Sequence, residues 1–302
     1  MSATRVLVTG AYGQVGVDLV DALSGRTPPG GDSTFNPDGV AVTPEEFAVL
    51  ALGHHDLDVA DDVAVRHALE ASQPDVVVHL AAYTAVDRAE DDADACFRVN
   101  AQGTATVSAA AAEFGAHLIA VSTDYVFSGD KGAAYVEGDE TGPVSVYGAS
   151  KLAGELACHA EDTIVRTSWV LGARGANVLR AVVARARAGE VVRFVDDQTG
   201  TVTNAADLAR ALVTMARERP GGTWHVANVG ATTWYGVVAH AGASLGRASG
   251  FATPISTADL TPAPRARRPV RSDLDTGRWA SRFIALPEWP DAVQRLARAM
   301  VA

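Results

Sequence analysis

A glycine-rich segment near the N-terminus constrains the fold of this chain more than any other feature. It reads Thr9-Gly10-Ala11-Tyr12-Gly13-Gln14-Val15-Gly16, directly after the apolar run Val6-Leu7-Val8 and directly before a helical pattern. Gly10 permits a tight turn, Gly13 lets the backbone approach a pyrophosphate, and Gly16 lets helix and strand pack closely. The segment therefore predicts a strand, a dinucleotide-binding loop and a helix whose N-terminus meets the phosphates.

Short apolar runs alternate with helical patterns through the first half of the chain. The runs cover residues 6–9, 76–80 and 118–122, and the helical patterns cover residues 14–23, 63–71 and 101–114. Near-continuous apolar runs are typical of parallel strands that are covered on both faces. The alternation predicts an α/β fold with a doubly wound parallel sheet.

Residues 25–44 interrupt this alternation because they are rich in Gly, Pro, Asp, Ser and Thr. We interpret them as an inserted surface loop. The second strand is then Phe47–Leu52, which leads directly into Gly53-His54-His55, and residues 40–42 are the alternative.

Beyond residue 165 the pattern loosens, with helices predicted at residues 178–188, 206–219 and 235–244. We expect residues 1–165 to form the dinucleotide-binding domain. Residues 166–302 should form mainly a smaller substrate-binding lobe, with some strands and helices that return to the main sheet.

Composition narrows the class of partner. The formal net charge of -11 argues against a nucleic-acid partner, which normally requires a basic face. Cys96 and Cys158 lie in helical patterns and are predicted to be buried free thiols, as fits a reducing cytoplasm. There is no signal-peptide pattern, and no apolar run approaches the roughly 18 residues of a membrane helix. We expect a cytoplasmic protein without a membrane partner or a bound metal.

Tyr147 and Lys151 are four residues apart, so a helix places both side chains on one face. Such pairs often lie on solvated surfaces. However, a phenol titrates at about pH 10 in water, and a nearby cation can stabilise its phenolate so that it exchanges protons near neutral pH.

Several strings give this chain a family resemblance. The spacing Gly-x-x-Gly-x-x-Gly with Tyr-x-x-x-Lys resembles the short-chain dehydrogenase/reductases. The further strings resemble the dTDP-4-dehydrorhamnose reductase family, an extended group that acts on sugar nucleotides. They are residues 80–87, 99–104, 122–127, 166–170, 197–200, 232–234 and 268–269. The resemblance extends from Val6 to about Trp289, with residues 25–44 as the main departure.

The resemblance implies a Rossmann-type fold and reduction of the 4-keto group of a dTDP-4-dehydro-6-deoxy-sugar. The expected reaction converts dTDP-4-dehydro-L-rhamnose to dTDP-L-rhamnose with NADPH, or alternatively NADH. Tyr147 would donate the proton, Lys151 would lower its pKa and bind the nicotinamide ribose, and Thr123 would hold the sugar oxygen or the tyrosine. The expected partners are the nucleotide sugar and, as an alternative to a monomer, a second copy of the chain.

The resemblance also implies two sets of binding residues. The cofactor-binding residues would be Gly10, Gly13, Gln14, Val15, Gly16, Asp58, Val59, Ala81, Ala82, Tyr83, Thr84, Asn100, Tyr147 and Lys151. The substrate-binding residues would be Thr123, Asp124, Trp169 and Arg268.

Several of the expected site residues have a purely structural alternative. Thr123 and Asp124 could cap a strand end, and Asn100 could be a helix N-cap. Trp169 could be a core aromatic residue. Arg268 could belong to a solvated basic run with Arg265, Arg267 and Arg271. His79, inside a strand, is interpreted as a buried histidine with satisfied hydrogen bonds.

The residues after the second strand bear on the choice of cofactor. NAD-binding folds place an acid there, whereas this chain has Gly53. Without that acid a 2'-phosphate is not repelled, and His54 or His55 could contact it. The sequence therefore favours NADPH.

Two other functions compete with this interpretation. One is a reductase for another nucleotide deoxysugar in secondary metabolism. The other is a non-catalytic NADP-binding subunit that resembles the regulatory subunit of methionine adenosyltransferase. A 4-epimerase or a dehydratase is less favoured, because the strings at residues 123–127 and 167–169 resemble the reductase. For a dehydratase, moreover, Asp124 is followed by Tyr125 and not by a second acid.

Overall fold

The computed structural model describes residues 3–301. Its strands are β1 (Thr4–Thr9), β2 (Phe47–Leu52), β3 (Val76–His79), β4 (His117–Thr123), β5 (Thr163–Thr167), β6 (Val170–Leu171), β7 (Val192–Val195), β8 (Thr199–Thr201), β9 (Thr203–Asn204), β10 (Gly222–His225), β11 (Ala231–Thr233) and β12 (Ala252–Ile255).

The α-helices of the same range are α1 (Gln14–Leu23), α2 (Asp62–Ser72), α3 (Val86–Ala89), α4 (Ala93–Phe97), α5 (Gly103–Glu113), α6 (Val146–Leu156), α7 (Val178–Ala188), α8 (Ala205–Glu218), α9 (Trp234–Ser244), α10 (Gly277–Ala280) and α11 (Trp289–Ala299). A π-helical turn, Arg98–Gln102, joins α4 to α5, and short 3-10 turns cover Asp124–Val126 and Thr257–Asp259.

Six parallel strands form the central sheet in the order β10-β5-β4-β3-β1-β2. Neighbouring residues of β1 belong to opposite faces, as the period of a strand requires. Val6 and Val8 share a hydrophobic cluster with residues of α1 and α8. Leu7 shares another with residues of α2 and α5. The predicted doubly wound α/β sheet is confirmed, and Phe47–Leu52 is the second strand.

The predicted start of the helix at residues 101–114 is wrong. The helical backbone begins at Ala93 and continues through the π turn into α5 without a break. Asn100 lies in the middle of this segment, so it is not an N-cap. No Gly or Pro between Ala93 and Gln102 ends the helix.

Residues 25–44 contain no strand or helix, but the expectation of a surface loop is wrong for part of them. Phe35 packs against the main core. Asp38 Oδ2 pairs with the Arg217 guanidinium of α8 at 2.6 Å. Asn204 Nδ2 donates to the Gly30 carbonyl at 2.9 Å. A segment without apolar periodicity is therefore attached to α8 and β9 through its backbone and its carboxylates.

The C-terminal half of the chain contributes both to the central sheet with its helices and to a smaller lobe with a second core. β10 extends the central sheet beside β5, and α8 packs on α1. The pairs β6-β9, β7-β12 and β8-β11, with α7, α9 and α11, enclose a second core. This smaller lobe places β6 directly after β5, at the carboxyl end of the central sheet.

Three further expectations concern cysteines, membranes and metals. The prediction of a buried free thiol is confirmed for Cys96. It is wrong in part for Cys158, which is a free thiol but only half-buried, and which follows α6 and does not lie within a helix. Between residues 3 and 301, every helix is too short or too polar to cross a membrane. The same residues contain no group of His, Cys, Asp and Glu side chains suited to a metal ion.

Candidate active site

A cavity of about 1050 Å³ opens at the carboxyl ends of the parallel strands. Such an edge is where ligands bind in open α/β sheets. The predicted site residues that line it are Gly10, Gly13, Gln14, Val15, Gly16, Asp58, Val59, Ala81, Ala82, Tyr83, Thr84, Thr123, Asp124, Tyr147, Lys151 and Trp169. Asn100 and Arg268 lie outside this wall.

The glycine loop forms one side of the cavity. Gly10 has a φ of +66°, and a Cβ there would lie 2.6 Å from the Ala81 nitrogen. Gly13 is the N-cap of α1 but provides no side chain to its first-turn amides. An N-terminus left uncapped in this way favours an anion, through its free N–H groups and the helix dipole. These residues fit the pyrophosphate of a dinucleotide.

Lys151 lies on α6, which Ser145 caps by accepting a hydrogen bond from the Gly148 amide at 3.1 Å. The Lys151 ammonium is buried and donates to the Val121 carbonyl of β4 at 2.7 Å. Burial lowers the pKa of Lys151 to about 8, although the Glu155 carboxylate one turn further along α6 opposes this.

Tyr147 is half-buried one turn before Lys151. Desolvation raises the pKa of its phenol well above the ordinary value, a hydrogen bond with Thr123 acts in the opposite direction, and the Asp124 carboxylate raises it further. Lys151 is not among the groups that shift the pKa of Tyr147 here, so the expected lowering of that pKa by Lys151 stays a prediction. Tyr147 is protonated at neutral pH, which is the state that a proton donor requires.

Asp124 is enclosed by hydroxyl groups. Its carboxylate accepts hydrogen bonds from Ser272 Oγ at 2.5 Å and from Thr123 Oγ1 at 3.1 Å. Burial raises the pKa of Asp124 to about 6 against these bonds. Thr123 also caps the following 3-10 turn, where its hydroxyl accepts from the Tyr125 amide at 3.2 Å. The capping alternative for Thr123 is thus observed, and the same residue lines the cavity.

Asn100 is buried next to the cavity and contacts residues of two of the segments around it. Its Oδ1 accepts from the Tyr83 amide at 2.8 Å, and its Nδ2 donates to Ser150 Oγ at 2.9 Å and to the Tyr83 carbonyl at 3.1 Å. Asn100 therefore joins the predicted cofactor loop at residues 81–84 to α6.

Trp169 stands at the junction of the sheet and the smaller lobe. Its φ of +42° is unusual for a residue with a side chain, and such backbone strain is often found at functional sites. Its ring stacks on Trp234 with the centroids 4.3 Å apart. Gly200 leaves room for it, because a Cβ there would lie 2.7 Å from the indole.

Arg268 lies in an adjoining cavity of about 610 Å³, which shares Trp234 with the first. Its Nη2 donates to Asp87 Oδ2 at 2.7 Å. The hydrogen bond from Arg268 lowers the pKa of Asp87 to about 2.

The basic run around Arg268 is mostly paired. Arg265 pairs with Asp91, and Arg271 Nε pairs with Asp273 Oδ1 at 2.7 Å. Arg265 and Arg267 are nevertheless exposed and the Arg271 side chain is partly exposed, so the alternative of a solvated basic run fits these three residues, whereas Arg268 is half-buried.

His54 and His55 line the cavity with their ring centroids 3.6 Å apart. Gly53 before them lies against the Tyr12 ring, and a Cβ at position 53 would come within 2.4 Å of it. An acid at this position would displace Tyr12.

His79 matches its interpretation as a buried histidine. Its Nδ1 lies 2.8 Å from Thr9 Oγ1, and its Nε2 lies 3.2 Å from Thr104 Oγ1. Burial lowers the pKa of His79 to about 3, so the ring is neutral at physiological pH.

The residue-by-residue prediction missed Trp234 and Ser272. Trp234 lies within a string that the family resemblance included, so a signal for it was present. Ser272 lies 148 positions from Asp124, its hydrogen-bond partner, and no local pattern marks it.

Comparisons with known proteins agree with this geometry. The family model described as RmlD substrate binding domain matches residues 39–301. A dTDP-4-dehydrorhamnose reductase of Burkholderia thailandensis is 37% identical over 99% of both chains. One of Escherichia coli K12 is 34% identical over 97% of this chain and 96% of its own. A solved dTDP-4-dehydrorhamnose reductase of Bacillus anthracis, in complex with NADP, has a TM-score of 0.86 at 30% identity and covers 97% of this chain and 98% of its own.

Proposed function

This chain belongs to the RmlD substrate-binding domain family, and we propose that it reduces the 4-keto group of a dTDP-4-dehydro-6-deoxy-sugar with NADPH. The proposed reaction is dTDP-4-dehydro-L-rhamnose to dTDP-L-rhamnose. One observation carries the proposal. Tyr147, Lys151 and Thr123 line the same cavity as the uncapped N-terminus of α1.

The residues for the cofactor follow the edge of the sheet. Gly10, Gly13 and the first turn of α1 would hold the pyrophosphate. Asp58 and Val59 would lie at the adenine end, and residues 81–84 with Lys151 at the nicotinamide end. When bound, NADPH supplies the hydride. The glycine at position 53 supports NADPH over NADH, because no carboxylate there repels a 2'-phosphate.

The protein supplies the proton. Tyr147 would donate its phenolic proton to the C4 oxygen of the sugar as negative charge develops there. The Thr123 hydroxyl, which donates its one proton to Asp124 here, would turn to donate it to that oxygen and fix its position. The buried Lys151 cation would stabilise the phenolate that remains, and its bond to the Val121 carbonyl holds it in place for this.

The two adjoining cavities suit the two parts of a nucleotide sugar. The sugar would pack on Trp169 beside Tyr147. Asp124, which lines the same cavity, would contact the sugar. The diphosphate would extend past Trp234 into the second cavity, where Arg268 offers guanidinium N–H groups. We therefore propose residues 1–165 as the cofactor-binding domain and residues 166–302 as mainly the substrate-binding lobe.

The assembly and the location are further parts of this proposal. We propose a homodimer, which light scattering of the purified protein would test. We propose a cytoplasmic location, which the free thiols Cys96 and Cys158 and the use of NADPH support.

The direct test is turnover. Purified protein with dTDP-4-dehydro-L-rhamnose should oxidise NADPH and yield dTDP-L-rhamnose. Tyr147→Phe removes one oxygen atom and should lower kcat by roughly 100-fold or more. Tyr235→Phe, which changes a tyrosine outside both cavities, should keep wild-type rates.

Binding of NADPH without turnover of any dTDP-4-keto sugar would contradict the proposed reaction. That outcome would instead favour the non-catalytic NADP-binding subunit.

A further inference from the structure

Residues 172–177, between β6 and α7, form a loop that lies against the glycine-loop helix α1. We propose that Arg174 is a positioning residue that holds this loop on α1 and thereby controls how tightly the dinucleotide cofactor is retained. The inference rests on the proposed function only in assuming that the first cavity takes NADP(H).

The contact between Arg174 and α1 consists of several charged hydrogen bonds. Arg174 Nε donates to Asp18 Oδ1 at 3.0 Å, and Nη2 donates to Asp21 Oδ2 at 2.6 Å. Nη2 also donates to the Val17 carbonyl at 3.3 Å. One guanidinium of the smaller lobe thus donates hydrogen bonds to three residues of α1.

The carboxylate of Asp18 makes this contact costly to break. Its side chain is 1% exposed, whereas that of Arg174 is 37% exposed. Burial raises the pKa of Asp18, and the hydrogen bond and charge of Arg174 oppose this increase. The second oxygen, Oδ2, has no hydrogen-bond partner within residues 3–301. Loss of Arg174 would leave a buried carboxylate without its counter-ion.

The loop also meets α1 at the first turn, where the pyrophosphate would bind. Gln14 Nε2 donates to the Val170 carbonyl just before the loop at 2.8 Å. A Cβ at Gly172 would lie 2.8 Å from Gln14 Cγ, so the loop backbone passes directly over this side chain. Ala176 and Asn177 line the first cavity together with Gln14.

The loop keeps its own shape through internal hydrogen bonds. Asn177 Nδ2 donates to the Gly172 carbonyl at 2.8 Å, and Arg180 Nη1 donates to the Ala173 carbonyl at 2.7 Å. The loop would therefore move as a unit when Arg174 is lost. A cofactor bound between this loop and α1 would then dissociate faster, with no change in the groups that transfer the proton.

The position of the contact predicts a distinctive effect. It lies beside the pyrophosphate site and not beside Gly53, where a 2'-phosphate would bind. NADPH and NADH should therefore be affected by the same factor.

The test measures cofactor binding to the full-length protein by stopped-flow fluorescence. In Arg174→Ala, the dissociation rate and the Kd of NADPH should each rise roughly tenfold or more. The factor for NADH should be equal, and the single-turnover rate at saturating NADPH should stay near that of the wild type. Arg174→Lys should restore part of the affinity, because it returns the charge without the fork of N–H donors.

Arg26→Ala is the matched control. Arg26 Nη2 pairs with Asp21 Oδ1 at 2.7 Å, so this variant also removes a cation that is paired with α1. The hydrogen bond and ion pair of the Arg26 side chain are with Asp21 and not with residues 172–177, so its variant should bind NADPH like the wild type.

A second route avoids an unpaired buried carboxylate. Asp18→Asn with Arg174→Gln removes both charges and should still speed NADPH dissociation. Unchanged dissociation in Arg174→Ala and in this double variant would overturn the inference. So would an effect on NADPH alone, or an equal effect in Arg26→Ala. Failure of the wild type to bind NADPH would instead overturn the proposed function.

Discussion

Replacement of Lys151 by methionine should stabilise the fold while it abolishes reduction. The Lys151 side chain is buried in the cavity wall, and burial lowers its pKa to about 8. The pKa of lysine in an unfolded chain is about 10.4. The difference corresponds to a destabilisation on the order of 3 kcal/mol at pH 7.

The sign follows from proton binding. The unfolded chain binds the lysine proton more tightly than the folded protein does, so stability rises with pH between about 8 and 10.4. The destabilisation of the fold by the buried Lys151 charge has its full value below about pH 8 and falls to about 1 kcal/mol at pH 10. Methionine has a similar volume and no charge, so its variant lacks this pH dependence. The lost bond to the Val121 carbonyl opposes the gain by an amount that changes little with pH.

Urea unfolding of both proteins at several pH values measures this effect. The free energy of unfolding of Lys151→Met minus that of the wild type should decrease by about 2 kcal/mol from pH 7 to pH 10. Groups that titrate in both proteins cancel in this difference. Lys131→Met makes the same change at the other lysine of the chain, outside both cavities, and serves as the control. A difference that stays constant over this pH range would refute the lowered pKa of Lys151.

The kinetics should reflect the same groups. The kcat of the wild type should fall as pH rises through about 8, where Lys151 loses its proton, and a pH profile of NADPH oxidation would show this. Gly200→Ala should raise the KM for the sugar nucleotide roughly tenfold, because a Cβ 2.7 Å from the Trp169 ring forces that ring to move. Gly138→Ala, where a Cβ meets nothing within 4 Å, should show wild-type kinetics. Arg268→Ala should raise the same KM roughly tenfold without a change in the Kd of NADPH from fluorescence titration.

The sheet could be predicted from the sequence because each strand carries its own signal. Val6, Leu7 and Val8 are all apolar, and the structure shows why: α1 and α8 cover one face of β1, and α2 and α5 cover the other. The glycine loop carries a local signal as well, since Gly16 is required by contacts with Gly10 and Ala11, although the contact that requires Gly10 is with Leu80 and Ala81 after β3.

Contacts between distant parts of the chain could not be predicted in this way. Arg174 and Asp18 are 156 positions apart. The residues next to an arginine in the sequence do not indicate whether it will form an ion pair with a distant carboxylate. The same holds for Arg217 of α8, whose partner Asp38 lies in a segment that reads as a loop. A charged residue opposite a flexible-looking segment becomes informative only when the fold places the two together.

The groups around Tyr147 set its protonation state before the reaction. The Asp124 carboxylate raises the pKa of the phenol, so it opposes the phenolate that proton donation leaves behind. The hydroxyls of Thr123 and Ser272 donate hydrogen bonds to the Asp124 carboxylate and stabilise its charge, whereas burial raises the pKa of Asp124 to about 6. The raised pKa keeps Tyr147 protonated before the reaction but also makes it a weaker acid. Proton donation to a ketone therefore needs a cation that stabilises the phenolate, and the buried Lys151 ammonium one turn along α6 is placed to do this.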